Sequence, residues 1–115
     1  MSTYAELKPI NFHRSLHLIT WSSDRRKVAV SLLNNAPYLH PKDVMNCIAA
    51  VASESESEGV NLINQIDALE DCLSQSQVMQ LKRKLNSTRI SRALDARFGY
   101  SSSNISIVIN SDDWF

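Results

Sequence analysis

The residues best suited to chemistry are cations in the second half of the chain. Five of them stand close together: Lys82, Arg83, Lys84, Arg89 and Arg92. Ammonium and guanidinium groups bind phosphate oxygens by charge and by hydrogen bonds, and such contacts supply much of the affinity of proteins for nucleic acids. These residues are therefore candidate phosphate contacts.

The charges of the whole chain are arranged in blocks, although the net charge is zero. Residues 43–81 carry seven acidic groups and no basic one, whereas residues 82–97 carry six basic groups and one acidic group. One interpretation is a surface with two opposite poles, of which the basic pole binds nucleic acid or an acidic partner. The other is that the blocks face each other inside the monomer or across a dimer.

Catalytic chemistry is not indicated. His13 and His17 have the spacing of a metal-binding pair on a helix, but apart from Glu6 no potential ligand stands near them in a suitable pattern. Two glycines in the whole chain exclude a glycine-rich phosphate loop, and there is no nucleophile elbow or Cys–His signature. We therefore expect a protein that is not an enzyme and has neither a cofactor nor a metal ion.

The composition predicts one domain over residues 1–115. Apolar residues make up 43% and charged residues 21% of the chain, which is ordinary for a globular protein. Cys47 and Cys72 lie on apolar faces of predicted helices, as expected in a reducing compartment. No apolar run is long enough to span a bilayer. We expect a cytoplasmic protein without a membrane partner.

Helices are the elements that would position these residues, because two glycines and three prolines are too few for the turns of an all-β protein. Caps and apolar spacing predict helices over 22–35, 41–51, 59–73, 77–85 and 87–98. Residues 11–21 fit a helix or, through "LHLITW", a short strand. The expected fold is a mainly α bundle of five to six helices. Its α+β alternative adds a short β pairing of the N- and C-terminal segments.

Two segments bear on the organisation of this bundle. The run "SESESEG" at 53–59 is either a hinge before a C-terminal three-helix unit at 60–110 or the acidic start of the next helix, where negative charge is favoured. The stretch 59–73 has the clearest apolar stripe. We expect it to help form a dimer.

The stretch "RFGYSSSNISIVIN" at 97–110 separates two functions. Gly99 suits a tight turn, since glycine adopts backbone angles that other residues resist. The apolar faces before and after it would consist of Leu94, Phe98, Ile105 and Val108. With 77–85 as a supporting helix, this pattern resembles helix-turn-helix DNA-binding regulators. The resemblance covers residues 75–110 and implies that the second helix lies in the major groove.

That resemblance implies base contacts from four residues: Ser102, Ser103, Asn104 and Ser106. Asn104 is the best candidate, because an asparagine can bond an adenine edge in two places. The rival interpretation is that "ISIVI", a run of β-branched residues, forms a strand that pairs with "LHLITW". Both interpretations remain open.

The C-terminal sequence "SDDWF" offers a different contact. Its acidic pair and terminal aromatic resemble the protein-docking tips of bacterial single-stranded DNA-binding proteins. The residues concerned are Asp112, Asp113, Trp114 and Phe115. The alternative is that the aromatic pair packs onto this protein's own core or into a dimer interface.

These patterns predict a small dimeric DNA-binding transcriptional regulator with a C-terminal helix-turn-helix. The alternative is a non-catalytic protein-binding module of bacterial or phage type. An antirepressor, an inhibitor, an immunity protein or an adaptor would fit that alternative.

Overall fold

The computed structural model describes residues 8–99, and this part of the chain contains seven helices. They are α1 (His13–Leu16), α2 (Ser22–Asn34), α3 (Pro41–Ala52), α4 (Glu56–Gln65), α5 (Leu69–Cys72), α6 (Gln75–Leu85) and α7 (Thr88–Phe98). The predicted mainly α fold is confirmed. There is one helix more than the upper expected number of six, because the segment predicted as one helix over 59–73 forms both α4 and the four-residue α5.

The "LHLITW" segment does not form a strand. It contains the end of α1 and a turn, and no residue from 8 to 99 is in a strand. The strand alternative for this segment is therefore wrong. Its suggested partner, residues 104–110, lies outside the described part of the chain.

Helix α3 forms where the sequence predicts it. Pro41 occupies the first turn, where its missing N–H costs nothing, and the ring of His40 accepts a hydrogen bond from the Lys42 backbone N–H at 3.1 Å. The predicted apolar face is buried throughout; it consists of Val44, Cys47, Ile48 and Val51. Asp43, counted by sequence with the acidic block, is also fully buried. Its carboxylate accepts hydrogen bonds from the backbone N–H groups of Ile10 and Asn11 at 2.7 and 2.6 Å.

The predicted helix over 59–73 is two helices. Helix α4 ends at Gln65, and α5 begins at Leu69. The Asn34 side chain enters the break, donating to the Gln65 carbonyl at 2.9 Å and accepting from the Asp67 N–H at 3.0 Å. A neighbouring helix thus satisfies backbone groups that a continuous helix would pair internally, so the prediction of one helix is wrong.

The apolar stripe of this region belongs to the core of the monomer. Its members are at most 5% exposed: Leu62, Ile63, Ile66, Leu69 and Leu73. The stripe therefore cannot serve as the dimer surface that the sequence suggested. Dimerisation itself stays a prediction, and this stripe does not provide the surface for it.

The Ser/Glu run joins α3 to α4. Ser55 accepts a hydrogen bond from the Glu58 backbone N–H and caps α4, whose first turn contains Glu56 and Glu58. This agrees with an acidic helix start. The apolar cluster extends from Leu16 to Leu94, on both sides of the run. A division of the chain at 53–59 stays a prediction.

Gly59 allows α4 to pass close to two neighbouring helices. A Cβ atom there would lie 2.7 Å from Ala52 Cβ in α3 and 2.9 Å from Ile90 Cδ1 in α7. Since real Cβ atoms do not approach so closely, the missing side chain lets α4 sit between α3 and α7. This contact fixes the position of α7, which carries several of the candidate functional residues.

Candidate nucleic-acid interface

Helices α6 and α7 follow one another with only two residues between them. Local sequence signals set the start of α6 and both sides of this connection. Ser74 and Gln77 form a capping box at the start of α6. Asn86 ends α6 in the left-handed conformation at φ 48°, and Ser87 caps α7 by accepting from the Ile90 N–H at 3.2 Å. The cations before and after the connection are thereby held on adjacent helices.

Four of the five predicted phosphate contacts are exposed on these helices. Arg83 and Lys84 lie in the last turn of α6, and Arg89 and Arg92 lie on α7. Among residues 8–99, the side chains of Arg89 and Arg92 have no hydrogen bond or ion pair. Arg83 and Lys84 each also interact elsewhere in the protein.

The fifth, Lys82, is engaged inside the protein. Its Nζ donates a hydrogen bond to Asp95 Oδ1, and the two side chains are only 11% and 14% exposed. Asp95 is the only acidic residue in α6 and α7. The pair therefore offsets the one negative charge on these helices and leaves the other four cations facing solvent.

Arg97, the remaining cation of the basic block, stabilises the fold. Its guanidinium donates to the carbonyls of Ile63 and Ile66, both at 2.6 Å, and forms a two-point ion pair with Glu70. These are carbonyls at the end of α4, where helices have unpaired acceptors. The Arg97 guanidinium holds the pKa of the Glu70 carboxyl below its usual value.

Acidic residues of the block 43–81 form ion pairs with arginines that come before the block and after it in the sequence. Besides Arg97–Glu70, Arg26 binds Glu58 at 2.8 Å, and Arg25 lies 3.7 Å from Glu54. The Arg26 hydrogen bond lowers the pKa of the Glu58 carboxyl. The blocks thus face each other inside the monomer in part, while the exposed cations of α6 and α7 remain outside these pairs.

A shallow groove of about 340 Å³ runs beside the α6–α7 connection. Its lining is polar: Lys82, Asn86, Ser87, Thr88, Ser91, Arg92 and Asp95. Thr88 and Ser91 were not among the residues predicted from sequence; their hydroxyls are spaced one helical turn apart and precede Arg92. Ser87, one of the lining residues, also donates a hydrogen bond from its hydroxyl to the Glu56 carboxylate at 2.5 Å.

The remaining predicted contacts lie outside the described part of the chain. This concerns the base contacts Ser102, Ser103, Asn104 and Ser106 and the docking residues Asp112, Asp113, Trp114 and Phe115. Gly99 is described and ends α7 in the left-handed conformation at φ 76°. The predicted helix stop is therefore confirmed, and a second helix after Gly99 stays a prediction.

His13 lies in α1 and His17 directly follows it, whereas Glu6 lies outside the described part of the chain. The rings of His13 and His17 meet edge to face with centroids 6.2 Å apart. Over residues 8–99, no group of three or more His, Cys, Asp or Glu side chains is placed to hold a metal ion.

None of the described helices has the length and apolar character needed to cross a membrane.

No protein-family model, no curated protein and no solved structure matches this chain.

Proposed function

We propose that this protein binds duplex DNA through α6 and α7 and acts as a transcriptional regulator. One observation carries the proposal. Arg83, Lys84, Arg89 and Arg92 are exposed on two successive helices whose only carboxylate is already paired with Lys82. Such a surface attracts the phosphate backbone, which supplies most of the affinity in complexes with nucleic acid.

In this proposal the exposed cations hold phosphates and set the orientation of the protein on the duplex. Lys82 supports the surface by neutralising Asp95 rather than by touching DNA. The residues after Gly99, with Ser102, Ser103, Asn104 and Ser106, would then read base edges. This last step rests on the resemblance to helix-turn-helix regulators.

The test is a fluorescence-anisotropy titration of random duplex DNA at about 50 and about 200 mM salt. Each phosphate contact contributes a slope of about 0.9 in log affinity against log salt concentration. R89A/R92A is therefore expected to weaken binding and to reduce that slope by about 1.8. These two arginines are chosen because neither has a partner among the described residues.

A matched control removes two positive charges elsewhere. K27A/K42A changes the net charge equally, and both lysines are exposed on α2 and α3. It should keep most of the affinity and the wild-type slope. Equal effects of the two double variants would contradict a localised phosphate surface, and an unchanged R89A/R92A would refute the assignment of these arginines.

A protein-binding module is the second candidate, favoured by two exposed apolar side chains. Leu18 is 86% and Trp21 is 69% exposed, and both lie in the short connection between α1 and α2. Exposed apolar groups that cluster are typical of protein contacts. If they mediate self-association, sedimentation of the wild type will depend on concentration, and that dependence will be lost in L18S/W21S. A monomeric wild type would contradict this form of the candidate.

A further inference from the structure

A second groove adjoins the first along α7 and shares Arg92 with it. It lies between α4 and α7 and has a volume of about 360 Å³. Its lining consists of Val60 and Asn64 from α4 and of Arg89, Arg92, Ala93 and Ala96 from α7. Val60 and the two alanines make its floor mostly apolar, and no carboxylate from residues 8–99 contributes to the lining.

The two arginines on its rim have no side-chain partner among the residues that the structure describes. Arg89 and Arg92 are three residues apart, so they lie on one face of α7. Both are exposed, and neither side chain has a hydrogen bond or ion pair with any residue from 8 to 99. A guanidinium binds a carboxylate through two parallel hydrogen bonds, so a matching ligand carries two carboxylates about one helical turn apart.

The floor distinguishes this ligand from nucleic acid. A phosphate backbone gains nothing from contact with Val60, Ala93 and Ala96, whereas an apolar side chain is desolvated there. A groove between two packed helices also fits an amphipathic helix, whose apolar stripe is bordered by charged residues.

We propose that the α4–α7 groove binds an acidic amphipathic helix of a partner protein. Carboxylates of the partner pair with Arg89 and Arg92, and an apolar side chain packs against Ala93 and Ala96. Because the arginines also belong to the proposed DNA surface, the partner helix displaces DNA. This competition rests on the proposed function, but the binding of the helix does not.

The probe is a fluorescein-labelled synthetic helix of about 15 residues, long enough to form a marginally stable helix. It carries two glutamates one turn apart and a leucine on the same face. A second peptide has glutamines in place of the glutamates. We expect the acidic peptide to bind the full chain, and R89A/R92A and the glutamine peptide each to weaken binding at least about tenfold.

Substitutions of the floor separate the groove from simple charge attraction. Ala96→Trp fills the groove at an exposed position and leaves both arginines in place, so it should abolish peptide binding. Asn64→Trp fills the groove from the α4 side and should likewise abolish peptide binding. Ala68→Trp, at an exposed position between α4 and α5, is the matched control and should bind like the wild type.

The outcomes distinguish this inference from the proposed function when duplex DNA is titrated against the same variants. Loss of peptide binding in A96W and N64W, with duplex binding retained, supports the groove as a separate site. Absence of peptide binding to the wild type, or binding that survives both tryptophan variants, overturns the inference without affecting DNA binding. Peptide binding by a protein that ignores duplex DNA supports the groove and refutes the proposed function.

Discussion

Replacing Arg97 with alanine should destabilise the whole helical domain, although the residue lies near the end of its helix. Its guanidinium joins α7 to the last turn of α4 through the carbonyls of Ile63 and Ile66, both at 2.6 Å. These carbonyls have no helical N–H partner at a helix end. Without Arg97 they must be satisfied by water at the edge of the core.

The size of the effect depends on the number of these contacts. A hydrogen bond from a charged donor contributes about 1.5–3 kcal/mol, so two of them give about 3–6 kcal/mol. The Arg97 side chain is 17% exposed, and water can replace part of this. We therefore expect Arg97→Ala to lower the free energy of unfolding by about 2–4 kcal/mol. Arg97→Lys should recover less than half of the loss, since one ammonium cannot replace a planar fork.

The assay is urea unfolding followed by far-ultraviolet circular dichroism. Glu70→Gln is the control, because it removes the ion pair and keeps the contacts of Arg97 with the carbonyls. The Glu70 side chain is 46% exposed, so its loss should have a much smaller effect than Arg97→Ala. Equal small losses in the two variants would refute the argument that Arg97 holds the end of α4.

Three further properties depend on single positions. Gly59→Ala should destabilise the protein by up to about 2 kcal/mol in the same assay, because the clash with Ala52 costs about 1–3 kcal/mol and the gain in helix propensity returns about 1 kcal/mol; a stabilised variant would contradict the close approach. Burial and the neighbouring imidazole lower the pKa of His13 from its ordinary value of 6.5. The unfolded chain therefore binds a proton at His13 more readily than the folded protein does. The contribution of His13 to the free energy of unfolding is complete above pH 6.5 and declines as the pH falls below it. His13→Gln should remove this pH dependence of the urea midpoint. Burial raises the pKa of the buried Cys47 to about 12, and partial burial raises that of Cys72 to about 11. Both thiols should therefore react slowly with a chromogenic disulfide until urea is added, and rapid reaction of both in the folded protein would contradict this expectation.

Much of the fold could be predicted because its signals are local. The start of α3 is set by Pro41, and the end of α7 is set by Gly99. The apolar spacing within α6 and α7 identifies the residues that are buried, among them Val78, Ile90 and Leu94. Each of these signals depends on neighbours within one or two helical turns, which a sequence displays directly.

The candidate site could be predicted only in part. The sequence identifies a cluster of cations, but charge and spacing do not reveal which of them already have partners. Lys82 and Arg97 look like the other four, yet one is paired with Asp95 and the other caps α4. The α4–α7 groove was not predicted at all, since Val60 and Ala96 are far apart in the chain.

The sequence by itself determined the helical class, most helix ends and the separation of apolar from polar faces, because these depend on backbone preferences and short-range spacing. Only the tertiary structure decided where the long apolar stretch at 59–73 is interrupted. Asn34 and Arg97 bind backbone groups there from more than thirty positions away. It likewise decided that Asp43 is buried beneath the N-terminal segment. Long-range hydrogen bonds override local preference, since each buried polar group requires a partner and the sequence does not show which one it finds.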